Sequence, residues 1–316
     1  MKKRPVPDSH PSVKQNSMND KGKPKKVSEN RESRLLVRHS FEMARELGIS
    51  TILVYAESVQ DQRYILKSKK HEKIIFLSQR THDIHEDFRD SCDILTLPHH
   101  DLSRSEQFQL GLLIATLSDK VEIDETVLCM AGLVGSLRLD NLLITNLKRD
   151  NKWFKQHNYE SIPKDLLLSK QFIKLLDIVL RLAKEGREGK NIGTMFVLGN
   201  PHSFSEHYEQ MILNPFAGHP EEFRNMHNED FFETIREFAA LDGAFVVNNE
   251  GTFERAGVYI RPPTSNTLKR PRGLGARHTS AAAFTSSIDA LAITLSESSS
   301  IVTVFSKGSA VLTLNP

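Results

Sequence analysis

The chain has 316 residues, 26% charged and 39% hydrophobic, the balance of a globular protein long enough for two ordinary domains. Its net charge of +2 is uneven: residues 1–34 carry ten Lys/Arg against four Asp/Glu, an excess of six, so the remainder is net −4. The part able to fold therefore lacks the basicity of a duplex-DNA binder, and no specific nucleic acid partner is expected. No apolar run approaches the ~20 residues of a membrane helix. Lys2-Lys3-Arg4 leads into no apolar segment, so no signal peptide is expected. The only cysteines, Cys92 and Cys129, lie in apolar runs and suit free thiols in a reducing cytoplasm, the expected location.

Residues 1–34, rich in Pro, Lys, Ser and Asn, bury too little apolar surface to offset ordering entropy and are expected to form a disordered basic tail. The tail reads as solubilising, with RNA or an acidic partner as the alternative. From Leu35 helices alternate with short apolar strands. Val37, Phe41, Ala44 and Leu47 recur at helical spacing before Gly48, and strands are predicted at 49–55, 73–77, 92–98, 126–130 and 141–145. Ser103 and Glu106 have the spacing of a capping box opening a helix through Leu117. The alternation predicts a compact α/β domain over 35–148, with a doubly wound parallel sheet covered on both faces. It contains no GxGxxG or Walker-type loop. Gly132–Ser136 could bring backbone to a phosphate or simply connect two elements, and His99-His100 could ligate a metal or simply be solvated.

Residues 149–164 are polar and read as a linker. Leu168, Phe172, Leu175, Leu176, Val179, Leu182 and Ala183 then line one face of a helix ended by Gly186. A strand follows at 193–199, and helices are predicted over 205–213 and 229–240, the latter with Asn228 as N-cap. Strands at 242–248 and 252–260 flank the turn Asn249-Glu250-Gly251. A basic, proline-bearing loop over 262–272 leads to a helix at 276–288 and strands at 289–295 and 301–305.

Two features of this second half bring chemistry together. Asp242 opens a strand. Some thirty-five residues later Arg277-His278 opens a helix after Gly273 and Gly275. Cations at a helix N-terminus oppose its dipole, a cost that an anion would remove, and flanking glycines leave backbone N–H groups accessible. A carboxylate able to hold a metal, facing such a turn, points to phosphate chemistry.

Asp242-Gly243-Ala244, then Ala256-Gly257-Val258-Tyr259, then Gly275-Ala276-Arg277-His278, then Ile293-Thr294-Leu295-Ser296-Glu297, resemble the diadenylate cyclase family in order and spacing over residues 165–316. Asn214-Pro215-Phe216 and Glu237–Leu241 are similar to its archaeal branch, which joins this domain to an N-terminal one like the C-terminal domain of pyruvate kinases. The Arg138–Thr145 segment resembles that domain. The resemblance implies a central mixed sheet flanked by helices, two ATP condensed to cyclic di-AMP and two pyrophosphates, and a homodimer or higher oligomer with facing sites. It implies catalytic roles for Asp242, Arg277 and His278, and nucleotide contacts from Gly243, Ala244, Tyr259, Gly275, Ala276, Thr279 and Ser296. A divalent metal, Mn2+ or Mg2+, would sit on Asp242 and Glu297. The family's closing motif is Gly-Thr-Arg-His-Arg, whereas Ala276 and Thr279 stand here, so a guanidinium is missing. Lys269, Arg270 and Arg272 are candidates to replace it. The alternative reading is a degenerate domain that senses ATP or cyclic di-AMP.

Overall fold

The computed structural model describes residues 31–80, 84, 88, 91–150, 163–261 and 275–316. The first sheet has the order β3-β2-β1-β4-β5, built from β1 (Thr51–Tyr55), β2 (Lys73–Ser78), β3 (Asp93–Thr96), β4 (Thr126–Ala131) and β5 (Asn141–Asn146). β1 pairs in parallel with β2 and β4, and β2 with β3, but β5 runs antiparallel to β4. The expected all-parallel sheet thus ends in one antiparallel edge strand, because the short Gly132–Asp140 connection has no room for a crossover helix.

Alternation along β1 divides the packing. Ile52 and Val54 face α1 (Arg31–Glu46) and α2 (Gln62–Ser68), while Leu53 and Tyr55 face α3 (Arg104–Leu117). The capping box at α3 is present as predicted, Ser103 accepting from the Glu106 amide and Glu106 from the Ser103 amide. Residues 31–34, expected in the tail, form the first turn of α1, with Glu32 on the favourable end of its dipole. The rest of the predicted tail lies outside the described residues, as does most of the linker.

The second sheet has the order β12-β11-β10-β6-β8-β9-β7. Its strands are β6 (Thr194–Gly199), β7 (Tyr208–Gln210), β8 (Ala244–Val247), β9 (Phe253–Ile260), β10 (Ala290–Leu295), β11 (Val302–Ser306) and β12 (Ser309–Leu314). Among the described residues only β6 and β8 of this sheet pair in parallel. One face carries α4 (Lys170–Glu185) and α5 (Phe231–Ala239) over a phenylalanine cluster in which Phe196 and Phe245 stack at 4.7 Å. The other carries α6 (Ala276–Thr285), whose Ala281, Ala282 and Phe284 pack on Met195, Val197 and Val246. Both sheets are therefore mixed and flanked by helices.

Three local expectations change. The helix predicted at 205–213 is a 3-10 segment, Pro201–His207, followed by β7, because Tyr208–Gln210 pair with Val258–Ile260 and tertiary pairing outweighs propensity. Asn228 accepts from the Asp230 amide one turn before α5 rather than capping it. β12 was not predicted. It returns through the two-residue turn Lys307-Gly308, both with positive φ (47° and 81°), the geometry that tight hairpins favour. One hydrophobic cluster runs continuously across the two sheets, and Lys184–Asp101 (2.8 Å) and Lys164–Asp119 (2.7 Å) link them at the surface.

Candidate functional site

Strand direction gathers the site at one end of the second sheet. β6 and β8 start there and β10 ends there, so the residues before β6, before β8 and after β10 share an edge. Asp242 precedes β8, Gly193 precedes β6, and Ser296-Glu297 follow β10. The N-terminus of α6 brings Arg277 to the same place.

Arg277 is the centre of this group. Its Nη2 donates to Asp242 Oδ1 at 3.2 Å. Its Nη1 lies above Gly193, where an added Cβ would sit 2.8 Å from it and 2.7 Å from Glu297 Cβ. The guanidinium thus stands beside both predicted metal-binding residues. Asp242 is 87% exposed at its side chain, so the pair is open to solvent and to a ligand. Gly193 was not singled out from the sequence. It reads there only as the start of a strand, and its lack of a side chain acquires meaning only from what packs over it.

Two expected nucleotide contacts are backbone positions shaped by tight packing. Gly243 has φ +112°, and a Cβ there would lie 2.8 Å from the Gly257 carbonyl carbon and 2.7 Å from the Val258 amide. Both conformation and space require glycine, which lets β8 and β9 close against each other beside Asp242. Ala244 is buried and pairs with Val258. Tyr259 is 53% exposed on β9, available to solvent rather than core.

At α6, Gly275 is the N-cap and offers no side-chain acceptor, so the cap leaves the first amides to other partners. The lysine- and arginine-bearing loop 262–272 lies outside the described residues, with its candidates Lys269, Arg270 and Arg272. Ala276 is the first helical residue. His278 packs edge-on against Phe305 at 5.8 Å between centroids, and burial holds its imidazole below its ordinary pKa. A neutral ring half-seated on β11 is a hydrogen-bonding group more than a fixed positive charge. Thr279 donates its hydroxyl back to the Gly275 carbonyl at 3.3 Å, so the hydroxyl is turned along its own helix instead of outward.

Beyond β10, Ser296 accepts from Ser299 Oγ at 2.9 Å, and its carbonyl accepts from the Ser300 amide, which fixes a compact turn. Glu297 is exposed on that turn. Among the described residues no three His, Cys, Asp or Glu side chains converge. The donor chemistry of Asp242 and Glu297 nevertheless fits a hard divalent cation, which takes one or two carboxylates and completes its shell with water and substrate phosphates. The His99-His100 pair joins no such group either. His100, partly buried beside Lys184, is held neutral by its surroundings. No described helix is long and apolar enough to cross a membrane.

With this geometry in view, the comparisons with known proteins fall into place. A family model described as DisA bacterial checkpoint controller nucleotide-binding matches residues 181–310, and one described as probable sensor domain DacZ_P matches residues 32–154. A diadenylate cyclase of Methanocaldococcus jannaschii is 26% identical over 307 residues, 90% of this chain and 97% of that protein. A diadenylate cyclase of Haloferax volcanii is 31% identical over 144 residues, 45% of this chain and 51% of that protein. A crystal structure of DacA from Staphylococcus aureus, 19% identical, covers 45% of this chain and 84% of its own at a TM-score of 0.29, too low to add to the argument. Over nine-tenths of its length the chain is thus similar to an archaeal diadenylate cyclase, with a sensor-domain match at residues 32–154 ahead of a nucleotide-binding match at residues 181–310.

Proposed function

We propose that the second half of the chain condenses two ATP molecules into cyclic di-AMP and two pyrophosphates, as a source of second messenger. The observation that carries this reading is the pairing of Asp242 with Arg277 at a helix N-terminus, where Arg277 Nη1 and the Glu297 Cβ both close over Gly193. Each half-reaction is attack of a ribose 3′-hydroxyl on an α-phosphorus, with pyrophosphate leaving.

Asp242 lies on the exposed side of the group, where a carboxylate can orient the attacking hydroxyl and accept its proton. Arg277, released from Asp242 when substrate enters, would turn its guanidinium to the triphosphate and offset the charge that grows on the leaving group. The Gly275–Arg277 amides at the start of α6 add donors aimed at the same anion. His278, kept neutral, would donate or accept one hydrogen bond to phosphate without adding charge. Gly243 and Ala244 give close backbone access for ribose and base, Tyr259 a ring for the adenine, and Ser296 a hydroxyl for phosphate. Asp242 and Glu297 would hold Mn2+ or Mg2+. Such a cation, when bound, lowers the pKa of an attached hydroxyl and neutralises phosphate charge.

The product has two equivalent halves, and each chain offers one site, so two chains must face each other for turnover. The reading thus includes a homodimer or higher oligomer, and a cytoplasmic protein with access to ATP. One observation favours a second reading, nucleotide sensing without turnover: the Thr279 hydroxyl is turned back to Gly275 where the family carries an arginine. Incubating the purified chain with ATP and Mn2+ or Mg2+ and identifying the product by mass separates the two. Cyclic di-AMP supports the cyclase, and bound but unchanged ATP supports the sensor.

A further inference from the structure

The β7 edge of the second sheet carries an apolar surface that the fold itself leaves uncovered. Met211, Ile212 and Leu213 follow this edge strand and are 51%, 40% and 95% exposed. They are held in place from both sides. Before them, Gln210 donates its side-chain amide to the Ala256 carbonyl at 2.6 Å, and the Met211 amide donates to the Gly257 carbonyl at 3.0 Å. After them, Asn214 donates to the Glu254 carbonyl at 2.9 Å, and Phe216 is buried in the phenylalanine cluster. Three apolar side chains fixed along β9 and facing water make a surface that association would bury.

This surface adjoins the nucleotide site. Ile212 lies over Gly257, where a Cβ would stand 2.5 Å from its Cγ1, and Gly257 in turn lies against Gly243. Gly243 follows Asp242, and Leu241 just before it is exposed as well. The margin is polar: Glu209 on β7 pairs with Arg261 at the end of β9, both with exposed side chains. An apolar centre with one carboxylate and one guanidinium at its margin is self-complementary. About a two-fold axis the leucines meet apolar surface, and the neutral ion pairs meet without like-charge repulsion.

We propose that Met211–Leu213 is the surface on which a second copy of this chain docks, with Leu213 as its central anchor. The choice of partner rests on the cyclase reading: that reaction brings a second chain to this end of the sheet, and any other protein seated beside Gly243 and Gly257 would keep it away. Because the backbone on both sides of the segment is already tied to β9, docking loses little conformational freedom. The contact between copies then begins one residue from Asp242, so the same surface that joins the chains also sets how their two sites face.

The test uses the full chain without nucleotide and reads self-association by analytical ultracentrifugation over a concentration series. The wild type is expected to self-associate reversibly. Leu213→Asp should weaken association at least about tenfold, because two-fold symmetry removes the leucine twice and sets two carboxylates near each other. Leu213 is too exposed to support the fold, so this variant should melt as the wild type does at concentrations where both are monomeric. Leu47→Asp, the same change at an exposed leucine of the first domain, should associate as the wild type does. A wild type that stays monomeric, a Leu213→Asp variant that associates as tightly as the wild type, or equal weakening by Leu47→Asp would overturn the proposal. The two readings fail separately. Weakened association of Leu213→Asp in a chain that never turns over ATP would refute the cyclase and leave this surface standing, whereas turnover with unchanged association would refute the surface alone.

Discussion

Replacing Gly193 with alanine tests whether the Arg277 group is a working site or a surface ion pair. The new methyl carbon would sit 2.8 Å from Arg277 Nη1 and 2.7 Å from Glu297 Cβ, where an ordinary contact is 3.4 Å or more. The guanidinium and the Glu297 turn must therefore shift by about 0.6 and 0.7 Å respectively, within the range where misplacement of a reacting group costs up to about a hundredfold. Stability changes little, because strain of about 1–3 kcal/mol from an added methyl is partly offset by about 0.4–1 kcal/mol of lost unfolded-state entropy. The expected result is a fall in kcat/KM for ATP of about ten- to a hundredfold, with the melting temperature lowered by only a few degrees. Product formation is followed by chromatography and unfolding by calorimetry on the same preparation. An alanine variant with wild-type kcat/KM would refute the claim that Arg277 and Glu297 act from these positions.

Asp242→Asn should abolish turnover and leave the melting temperature nearly unchanged, since exposed ion pairs contribute only about 0–1 kcal/mol; retained turnover would remove Asp242 from its role. Thr279→Arg restores the missing guanidinium and should lower KM for ATP severalfold, and an unchanged KM would show that position 279 does not face the triphosphate. His278 has a folded-state pKa below its unfolded value, so the unfolded chain binds the extra proton first. Its contribution to stability is present above about pH 6.5 and is lost as the pH falls through the lower folded value. His278→Asn should flatten the slope of melting temperature between pH 5 and 7 relative to wild type, and identical slopes would contradict the assignment. Native Cys129, fully buried and with its pKa pushed up to about 12, should resist alkylation until the chain is unfolded; rapid labelling at neutral pH would contradict its burial.

Where residue type and period act locally, the sequence was enough. Ser103 and Glu106 predict their capping box, the Val37–Ala44 spacing predicts α1, and the short apolar strands predict a covered α/β sheet. What depends on partners distant in the chain was not legible. Tyr208–Gln210 becomes a strand only because β9 is there to pair with it, and β5 turns antiparallel only because its connection is short. The same holds at the site. Asp242 and Arg277 were readable as a pair because both carry charge, and they meet at 3.2 Å. Gly193 carries no chemistry of its own, and Thr279 could not be known to turn its hydroxyl inward.

The central claim is that ATP held at the Asp242–Arg277–Glu297 group is converted rather than merely retained. It is tested most directly by measuring bound ATP and released pyrophosphate in one reaction containing Mn2+ or Mg2+. The account predicts two pyrophosphates for each cyclic di-AMP formed. Stoichiometric ATP binding with no pyrophosphate released under any divalent cation would contradict it.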